Sequence, residues 1–411
     1  MLDINKNYWL YIASHVYCCI KDIQAILYNT KTGMSFVIDD KDIILLLQSL
    51  HEKKNLGAVF CTGKLLSKTP YKEFITDFCQ KGMGDIVDVV LLPEKPIQMM
   101  PVLNLQSDVS KLPKEEIGKD VLHYLLELNI YLHNECELHC PNCDNFYRQS
   151  LCCSKNNGGK SKDKLDINVL KNILYQIRDG SVGKLNLLGG NIFKYPFYSV
   201  LPELLANFRG SAYFWNHYAN FNDEEVIFSD FYYVVVVTFP VENKLLDCCF
   251  NILRNNNAKY HFYITNIEEY EKAEYLIEEY KINDYTIHPI YIGQNDDFFR
   301  KYIYSRHEDI YQIKLSFHQI FAHQKMNTNN FGTLTILPDC EVYGNINAPA
   351  LGDIKDNTLL YIIEKEMIEN TAWRQVRDMV PCNECIYQYL CPSPSNYELV
   401  IGKPNLCHVK Q

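Results

Sequence analysis

The sequence predicts an α/β fold with a central parallel sheet, a small N-terminal α+β domain and a cysteine-rich C-terminal region. Two observations predict the sheet: six strand-like segments recur between residues 128 and 292, and helical stretches separate them. Strands that alternate with helices pair in parallel, and six such units fit a partial (β/α)6 barrel. The third observation is that seven of the 16 cysteines fall into two groups with metal-site spacing.

The first hundred residues predict a separate module, assigned to residues 1–105. Its strands are expected at residues 8–18 and 23–38, and its helices near residues 40–53 and 71–81. The second strand bends into a hairpin at residues 29–33. A small sheet with helices is a winged-helix pattern. Ser, Asp and Pro residues within 101–119 predict a linker to the next domain.

The central region, residues 125–325, supplies the sheet. Its strands are expected at residues 128–133, 184–191, 212–216, 233–238, 260–265 and 285–292. One well-marked helix runs from Asp166 as N-cap to Gly180 as C-cap, and another covers residues 268–280 with i, i+4 charge pairs. A polar stretch at residues 154–164 is interpreted as an insertion.

Three cysteines, Cys136, Cys140 and Cys143, directly follow the first of these strands. Thiolates this close together can face one point, which is typical of a metal centre. Structural zinc sites and electron-transfer clusters normally take four protein ligands, so three ligands predict an iron left open for a small molecule. The alternative is a zinc site completed by a histidine such as His139.

This cysteine spacing, three residues and then two, resembles that of the radical S-adenosylmethionine (SAM) family, where it follows the first barrel strand. The resemblance implies a catalytic 4Fe-4S cluster on the three cysteines, with the amino and carboxyl groups of SAM bound at its open iron. It also implies a partial barrel of the radical SAM type. The position before the third cysteine, usually aromatic in the family, is Asn142.

The second strand of the sheet ends in Gly189-Gly190-Asn191. Glycines let a ligand approach the backbone closely. By resemblance, this segment corresponds to the family's motif that contacts the methionine moiety of SAM. Polar residues at the ends of later strands are candidates for contacts to the ribose or adenine of SAM, namely Thr238, Asn266 and His288.

A second group of cysteines lies near the C-terminus and comprises Cys382, Cys385, Cys391 and Cys407. Four thiolates make a closed site for zinc or for an iron-sulfur cluster. Upstream, residues 332–345 predict a β-hairpin around Pro338-Asp339. Hairpin and cysteines together resemble the SPASM extension of radical SAM peptide-modifying enzymes, so residues 330–411 are assigned to a SPASM-like domain.

By resemblance, these four cysteines match the ligands of the second auxiliary cluster of that extension. A first auxiliary cluster is not expected, because its ligand positions fall at Gly344, Asn357 and Ser395, and Cys340 lies four residues too early. Two 4Fe-4S clusters are therefore predicted, one catalytic and one auxiliary that moves electrons.

Composition limits the partners and the compartment. A net charge of -10 without a basic patch argues against nucleic acid, and the longest apolar run, residues 232–239, is too short to span a membrane. Scattered cysteines with no N-terminal signal peptide predict a reducing compartment, and we expect the cytoplasm.

The sequence thus predicts a radical SAM maturase that installs a thioether crosslink in a ribosomally synthesised peptide; epimerisation and carbon-carbon crosslinking stay open. The expected partners are a precursor peptide and an electron donor such as a flavodoxin or ferredoxin. The N-terminal domain resembles the peptide-recognition domain of enzymes that modify ribosomally made peptides, which implies that it binds the leader as an added strand; the alternative is an accessory domain that only packs against the barrel. One alternative is a non-catalytic peptide-binding escort with structural metal sites. Another, a maturase acting on a folded enzyme, is disfavoured by the missing first auxiliary cluster.

Overall fold

The structure is a computed structural model that describes residues 3–98, 121–153 and 164–409. The linker predicted at residues 101–119 lies outside the described residues. The insertion predicted at residues 154–164 also lies outside them, apart from Lys164.

The N-terminal region contains two three-stranded antiparallel sheets, ordered β5-β1-β6 and β2-β3-β4, together with helices. Its strands are β1 (Asn7–Ile12), β2 (Val16–Lys21), β3 (Gln24–Asn29), β4 (Ser35–Ile38), β5 (Ala58–Thr62) and β6 (Gly84–Asp88). Its helices are α1 (Lys41–His51), α2 (Gly63–Leu66) and α3 (Tyr71–Gln80).

The hairpin β3-β4 and the helices α1 and α3 confirm the predictions for this region. The single strand predicted at residues 8–18 is wrong, because the chain turns at residues 13–15 and β1 and β2 enter different sheets. β5 and β6 were not predicted, because each has only five residues; β5 lacks a polar alternation, and β6 contains a glycine and two aspartates. The winged-helix assignment stays a prediction.

A nine-stranded sheet forms the centre of the molecule, and six of its strands are parallel neighbours in chain order. These six are β7 (Glu127–Tyr131), β8 (Lys184–Leu188), β9 (Ser211–His217), β10 (Tyr232–Thr238), β11 (Asn257–Ile264) and β12 (Tyr285–Pro289). The predicted six-stranded parallel sheet is confirmed, whereas its closure into a partial barrel stays a prediction.

Helices connect these strands and continue beyond them. They are α4 (Cys143–Gln149), α5 (Ile167–Ile177), α6 (Leu201–Leu205), α7 (Asn243–Leu253), α8 (Ile267–Glu279), α9 (Asp296–Tyr302), α10 (His307–Gln312) and α11 (Phe317–Lys325). The side chain of Asp166 caps α5 as predicted, but the C-cap is Arg178 instead of Gly180, whose N–H bonds to the Ile177 carbonyl in a final turn. Across the described ranges, no helix has both the length and the apolar character needed to cross a membrane.

The predicted C-terminal hairpin is confirmed as β13 (Thr333–Ile336) and β14 (Glu341–Tyr343). β13 pairs in parallel with β7, and β15 (Gly352–Asp353) pairs with β14, so the hairpin extends the central sheet. Two further helices follow, α12 (Leu359–Glu369) and α13 (Asn396–Ile401).

The two faces of the central sheet differ in chemistry. On the outer face, apolar side chains such as Val235 and Phe262 join the large core that the helices complete. The opposite face, called the inner face below, carries polar and aromatic side chains. The segment 149–153, at the end of α4, covers part of this face. The Gln149 side chain donates to the Tyr291 carbonyl at 2.8 Å and accepts from its N–H at 2.7 Å. The buried polar side chains of Asn129, Asn186 and His261 thus lie on the inner face.

The N-terminal sheet β2-β3-β4 packs against the C-terminal region. Tyr17, Ile26 and Tyr28 share one buried apolar cluster with residues that include Ile386 and Leu390. The Lys21 ammonium donates to the Asn383 carbonyl at 2.7 Å and to the Gln388 side-chain oxygen at 2.9 Å. These contacts hold the sheet β2-β3-β4 next to the second cysteine group.

Candidate metal centre at the carboxyl end of the sheet

The first cysteine group lies on a loop at the carboxyl end of β7. Pairing continues one residue past the strand, where the Leu132 N–H donates to the Leu188 carbonyl at 2.7 Å. The chain then leaves regular structure until Cys143, the first residue of α4. Cys136, Cys140 and Cys143 are all half-buried, and the two flanking thiols both act electrostatically on that of Cys140. The three thiols therefore gather at one end of the sheet.

Asn142, the position that departs from the family pattern, has a backbone requirement of its own. Its φ is 60° and its ψ is 17°, in the left-handed region, immediately before α4 begins. Asparagine adopts this conformation more readily than aromatic or β-branched residues do. The turn into α4 thus accounts for an asparagine at this position.

Gly189 and Gly190 bring the end of β8 against the backbone of the cysteine loop. Their φ values are +114° and +56°. A Cβ at Gly189 would lie closer than 3.0 Å to the His133 carbonyl oxygen, and one at Gly190 equally close to the Glu135 carbonyl oxygen. The Asn191 N–H then donates to that same Glu135 oxygen at 2.7 Å. The glycine pair therefore supports the loop, while its predicted contact with a ligand stays a prediction.

Cys140 contacts the carboxyl end of β10 through the hydroxyl of Thr238. That hydroxyl lies 2.9 Å from Nε2 of His217, at the end of β9. Burial lowers the pKa of His217 to about 3, so its ring is neutral. Because its Nδ1 accepts from the Ala219 N–H, Nε2 carries the proton and donates to Thr238. The hydroxyl proton of Thr238 is then directed toward Cys140.

The Cys140 thiol itself is protonated in the metal-free protein. Burial is the largest influence and raises its pKa to about 12, and the neighbouring thiols of Cys153, Cys143 and Cys136 add to the effect. A bound metal centre would lower the pKa of this thiol, because thiolates are the metal-binding form of cysteine.

A row of asparagines links the loop to β9. Nδ2 of Asn216 lies 3.3 Å from Oδ1 of Asn191, and Nδ2 of Asn220 donates to Oδ1 of Asn216 at 2.7 Å. Asn216, His217 and Asn220 were not among the residues predicted for the site. They could have been proposed from their position, because they lie at the end of a predicted strand. Thr238 was predicted for the site on the same ground, as a polar residue at a strand end.

The other two candidates at strand ends have structural partners. Oδ1 of Asn266 accepts from the Glu269 N–H and caps α8. The ring of His288 lies 3.1 Å from Oγ of Ser150 and 2.8 Å from the ring of His261. The structure thus brings Gly189, Gly190, Asn191 and Thr238 to the cysteine loop, whereas Asn266 caps a helix and His288 joins a hydrogen-bonded pair on the inner face.

The four C-terminal cysteines line one small cavity. They are all half-buried, and they comprise Cys382, Cys385, Cys391 and Cys407. Burial raises the pKa of Cys391 to about 12; Arg377 opposes this shift, and the other three thiols add to it. The Asn405 side-chain amide lies 3.0 Å from the sulfur of Cys407. The thiols are thus mutual neighbours around one space.

Arg377 is the charged residue of this cavity. Its guanidinium donates to the Glu398 carboxylate at 2.7 Å, and both side chains are largely buried. A second N–H points at the sulfur of Cys382, at 3.9 Å. A buried, paired cation beside four thiols favours their thiolate forms, which is what a cluster needs.

The donor set of both groups fits iron-sulfur clusters. All 16 cysteines lie within the described ranges, and none of them forms a disulfide bond there. Soft thiolates select iron-sulfur centres or zinc over the hard cations Mg²⁺ and Ca²⁺. In the part of the chain that the structure describes, no three His, Cys, Asp or Glu side chains are close enough together to hold one metal ion.

Comparison with known proteins gives structural matches alone: no family model and no curated protein matches the sequence. The crystal structure of Streptococcus suis SuiB bound to S-adenosylmethionine matches with a TM-score of 0.48 at 12% identity, over 97% of this chain and 98% of SuiB. The crystal structure of SuiB bound to the precursor peptide SuiA matches with a TM-score of 0.47, at 12% identity and the same coverage.

Proposed function

We propose that this protein is a radical SAM enzyme that modifies a peptide. One observation carries the proposal: three thiols lie within electrostatic range of one another at the carboxyl end of a six-stranded parallel sheet, on the loop that the glycine pair supports and at the first residue of α4. Three protein thiolates satisfy three irons of a four-iron cluster and leave the fourth for a small molecule. The carboxyl end is also where parallel α/β sheets bind their ligands.

When bound on Cys136, Cys140 and Cys143, a 4Fe-4S cluster with SAM would supply a 5′-deoxyadenosyl radical that removes a hydrogen atom from the peptide. The chain itself holds the loop and excludes water. Asn191 bonds the loop backbone, and Thr238 directs its hydroxyl at Cys140. We assign Gly189, Gly190, Asn191 and Thr238 to the SAM site. Asn266 would join them only through its Nδ2 atom, because Oδ1 caps α8.

The C-terminal cysteines are assigned to an auxiliary 4Fe-4S cluster. Four thiols around one cavity make a closed site, so we infer that it passes electrons and does not bind the peptide. A flavodoxin or ferredoxin is the proposed external electron donor. Residues 330–411 would then form the auxiliary domain and residues 125–325 the catalytic domain.

The N-terminal domain, residues 1–105, is assigned to the precursor peptide. Its two small sheets end in edge strands, and β4 and β5 carry the exposed apolar side chains Val37 and Phe60. Edge strands bind extended peptides through backbone hydrogen bonds, while pockets for alternate side chains give specificity. A thioether crosslink is the proposed product.

The test is formation of 5′-deoxyadenosine. After anaerobic reconstitution with iron and sulfide, the protein mixed with SAM and dithionite should release 5′-deoxyadenosine and methionine in equal amounts, measured by liquid chromatography. The same mixture without dithionite is the control. Reconstituted protein that carries its clusters yet yields no 5′-deoxyadenosine would contradict the proposal.

A further inference from the structure

The inner face of the sheet carries a row of side chains that begins at the cysteine loop. Thr238 of β10 pairs with Tyr263 of β11, which pairs with His288 of β12. Residues paired across neighbouring strands point to the same face of a sheet. Strands lie about 4.8 Å apart, so His288 is about 10 Å along the sheet from Thr238, which contacts Cys140.

His288 belongs to a continuous hydrogen-bonded series of three groups. Oγ of Ser150 lies 3.1 Å from its Nδ1, and its Nε2 lies 2.8 Å from Nδ1 of His261. Aromatic neighbours fix the two rings: Tyr263 stacks on His288 at 5.0 Å, and Trp215 meets His261 edge-on at 4.8 Å. The series therefore runs from the end of α4, across β12, to β11.

Both rings of the series are neutral. Burial lowers the pKa of His288 to about 4 and is also the largest influence on His261, whose pKa falls to about 2. The nearby cations, Lys259 and Lys184, act in the same direction on His261. They are themselves paired with Asp284 and Glu127 respectively. Each neutral ring offers one N–H donor and one nitrogen acceptor, the arrangement needed to pass a proton along without storing charge.

We propose that Ser150, His288 and His261 form a proton relay that removes the proton released when the peptide is crosslinked. The proposal rests on the proposed function and specifies how that site completes its reaction. It needs no titration of either ring, because each ring gains one proton and loses another.

The balance of a thioether step shows why a proton must leave. A peptide C–H bond and a peptide S–H bond break, and a C–S bond forms. The 5′-deoxyadenosyl radical would take the hydrogen atom from carbon and become 5′-deoxyadenosine, and an oxidised cluster held by one of the two cysteine groups would take up one electron. The proton of the thiol remains. Nε2 of His261 accepts it, Nδ1 of His261 hands its own proton to Nε2 of His288, and Nδ1 of His288 hands its proton to Ser150.

The far end of the relay opens on a polar cavity. Ser150 lines a cavity of about 200 Å³ together with Glu127, Asn129, Tyr131 and Thr335 among others. The carboxylate, amide and hydroxyl groups of this cavity can accept the proton after it leaves Ser150. The series thus ends at a polar space that the inner face of β7 and β13 lines.

The functional test compares His288→Gln and Ser150→Ala with the control His123→Gln, a change at an exposed ring that bonds Ser181. The probe is the peptide encoded by the short open reading frame nearest the gene. The measured quantity is crosslinked peptide formed per 5′-deoxyadenosine. We expect this ratio to fall about 100-fold at pH 7 in both relay variants and to stay at the wild-type value in the control. In the relay variants it should recover about tenfold per pH unit, because hydroxide then removes the proton.

A wild-type ratio in both relay variants would overturn the relay and leave the proposed function standing. Absence of 5′-deoxyadenosine from the wild-type protein would overturn the proposed function instead. A readout independent of the peptide uses histidine labelled with ¹⁵N: a coupling across the N–H···N bond should appear in the wild type, disappear in His288→Gln and persist in His123→Gln. Rings that become charged between pH 6 and 7 would also overturn the relay.

Discussion

Replacing Cys140 with alanine is expected to abolish the reductive cleavage of SAM. Cys140 is the middle thiol of the loop, and the other two thiols and Thr238 all act on it. Two remaining thiolates cannot hold a four-iron cluster that needs three or four. Formation of 5′-deoxyadenosine should therefore fall to the level of protein that was never reconstituted, as measured by liquid chromatography.

The matched control is Cys248→Ala. Cys248 is a half-buried cysteine on α7 and belongs to neither group. This variant should keep the wild-type rate of SAM cleavage. If Cys140→Ala still matured a co-expressed peptide, the chemistry would not depend on the loop cluster, and the escort function would account for the protein better.

Replacing Gly190 with alanine is expected to disrupt the loop without removing any cysteine. The new Cβ would overlap the Glu135 carbonyl oxygen, and the φ of +56° adds a strain of about 1–2 kcal/mol for a residue with a side chain. Overpacking against backbone adds about 1–3 kcal/mol. We expect a melting temperature lower by about 5–10 °C and the loss of about four irons per chain after reconstitution.

The control variant Gly293→Ala separates the effect of backbone strain from the effect of the overlap with the cysteine loop. Gly293 has a similar φ of +79°, but a Cβ there would meet no atom within 4 Å. This variant should lower the melting temperature by only about 2–4 °C and should keep its full iron content. Equal effects of the two substitutions would show that the contact between Gly190 and the cysteine loop does not hold the site together.

The parallel sheet was predictable because each of its strands is a dense apolar run. β10, for example, reads Tyr-Tyr-Val-Val-Val-Val-Thr, and its predicted bounds are within one residue of the observed ones. β5 and β6 were not predictable in this way, since each has only five residues and pairs with β1 across a long sequence separation. Local pattern identifies a strand most readily where burial on both faces gives a continuous apolar run.

The same distinction applies to the site. Cysteines and glycines are visible in the sequence because few other residue types share their chemistry or backbone freedom. His217, His261 and Ser150 are not visible, because they lie on separate elements and become neighbours only through the register of the sheet. Gly190 was visible, but its contact with Glu135 requires the folded loop.

The measurement that most directly tests the central claim is anaerobic quantification of iron and sulfide. It compares the wild-type protein with a variant in which Cys136, Cys140 and Cys143 are all alanine. Two four-iron clusters predict about eight irons per chain in the wild type and about four in the variant. Zinc with little iron in the wild type would contradict the radical mechanism and leave a peptide-binding escort with structural metal sites.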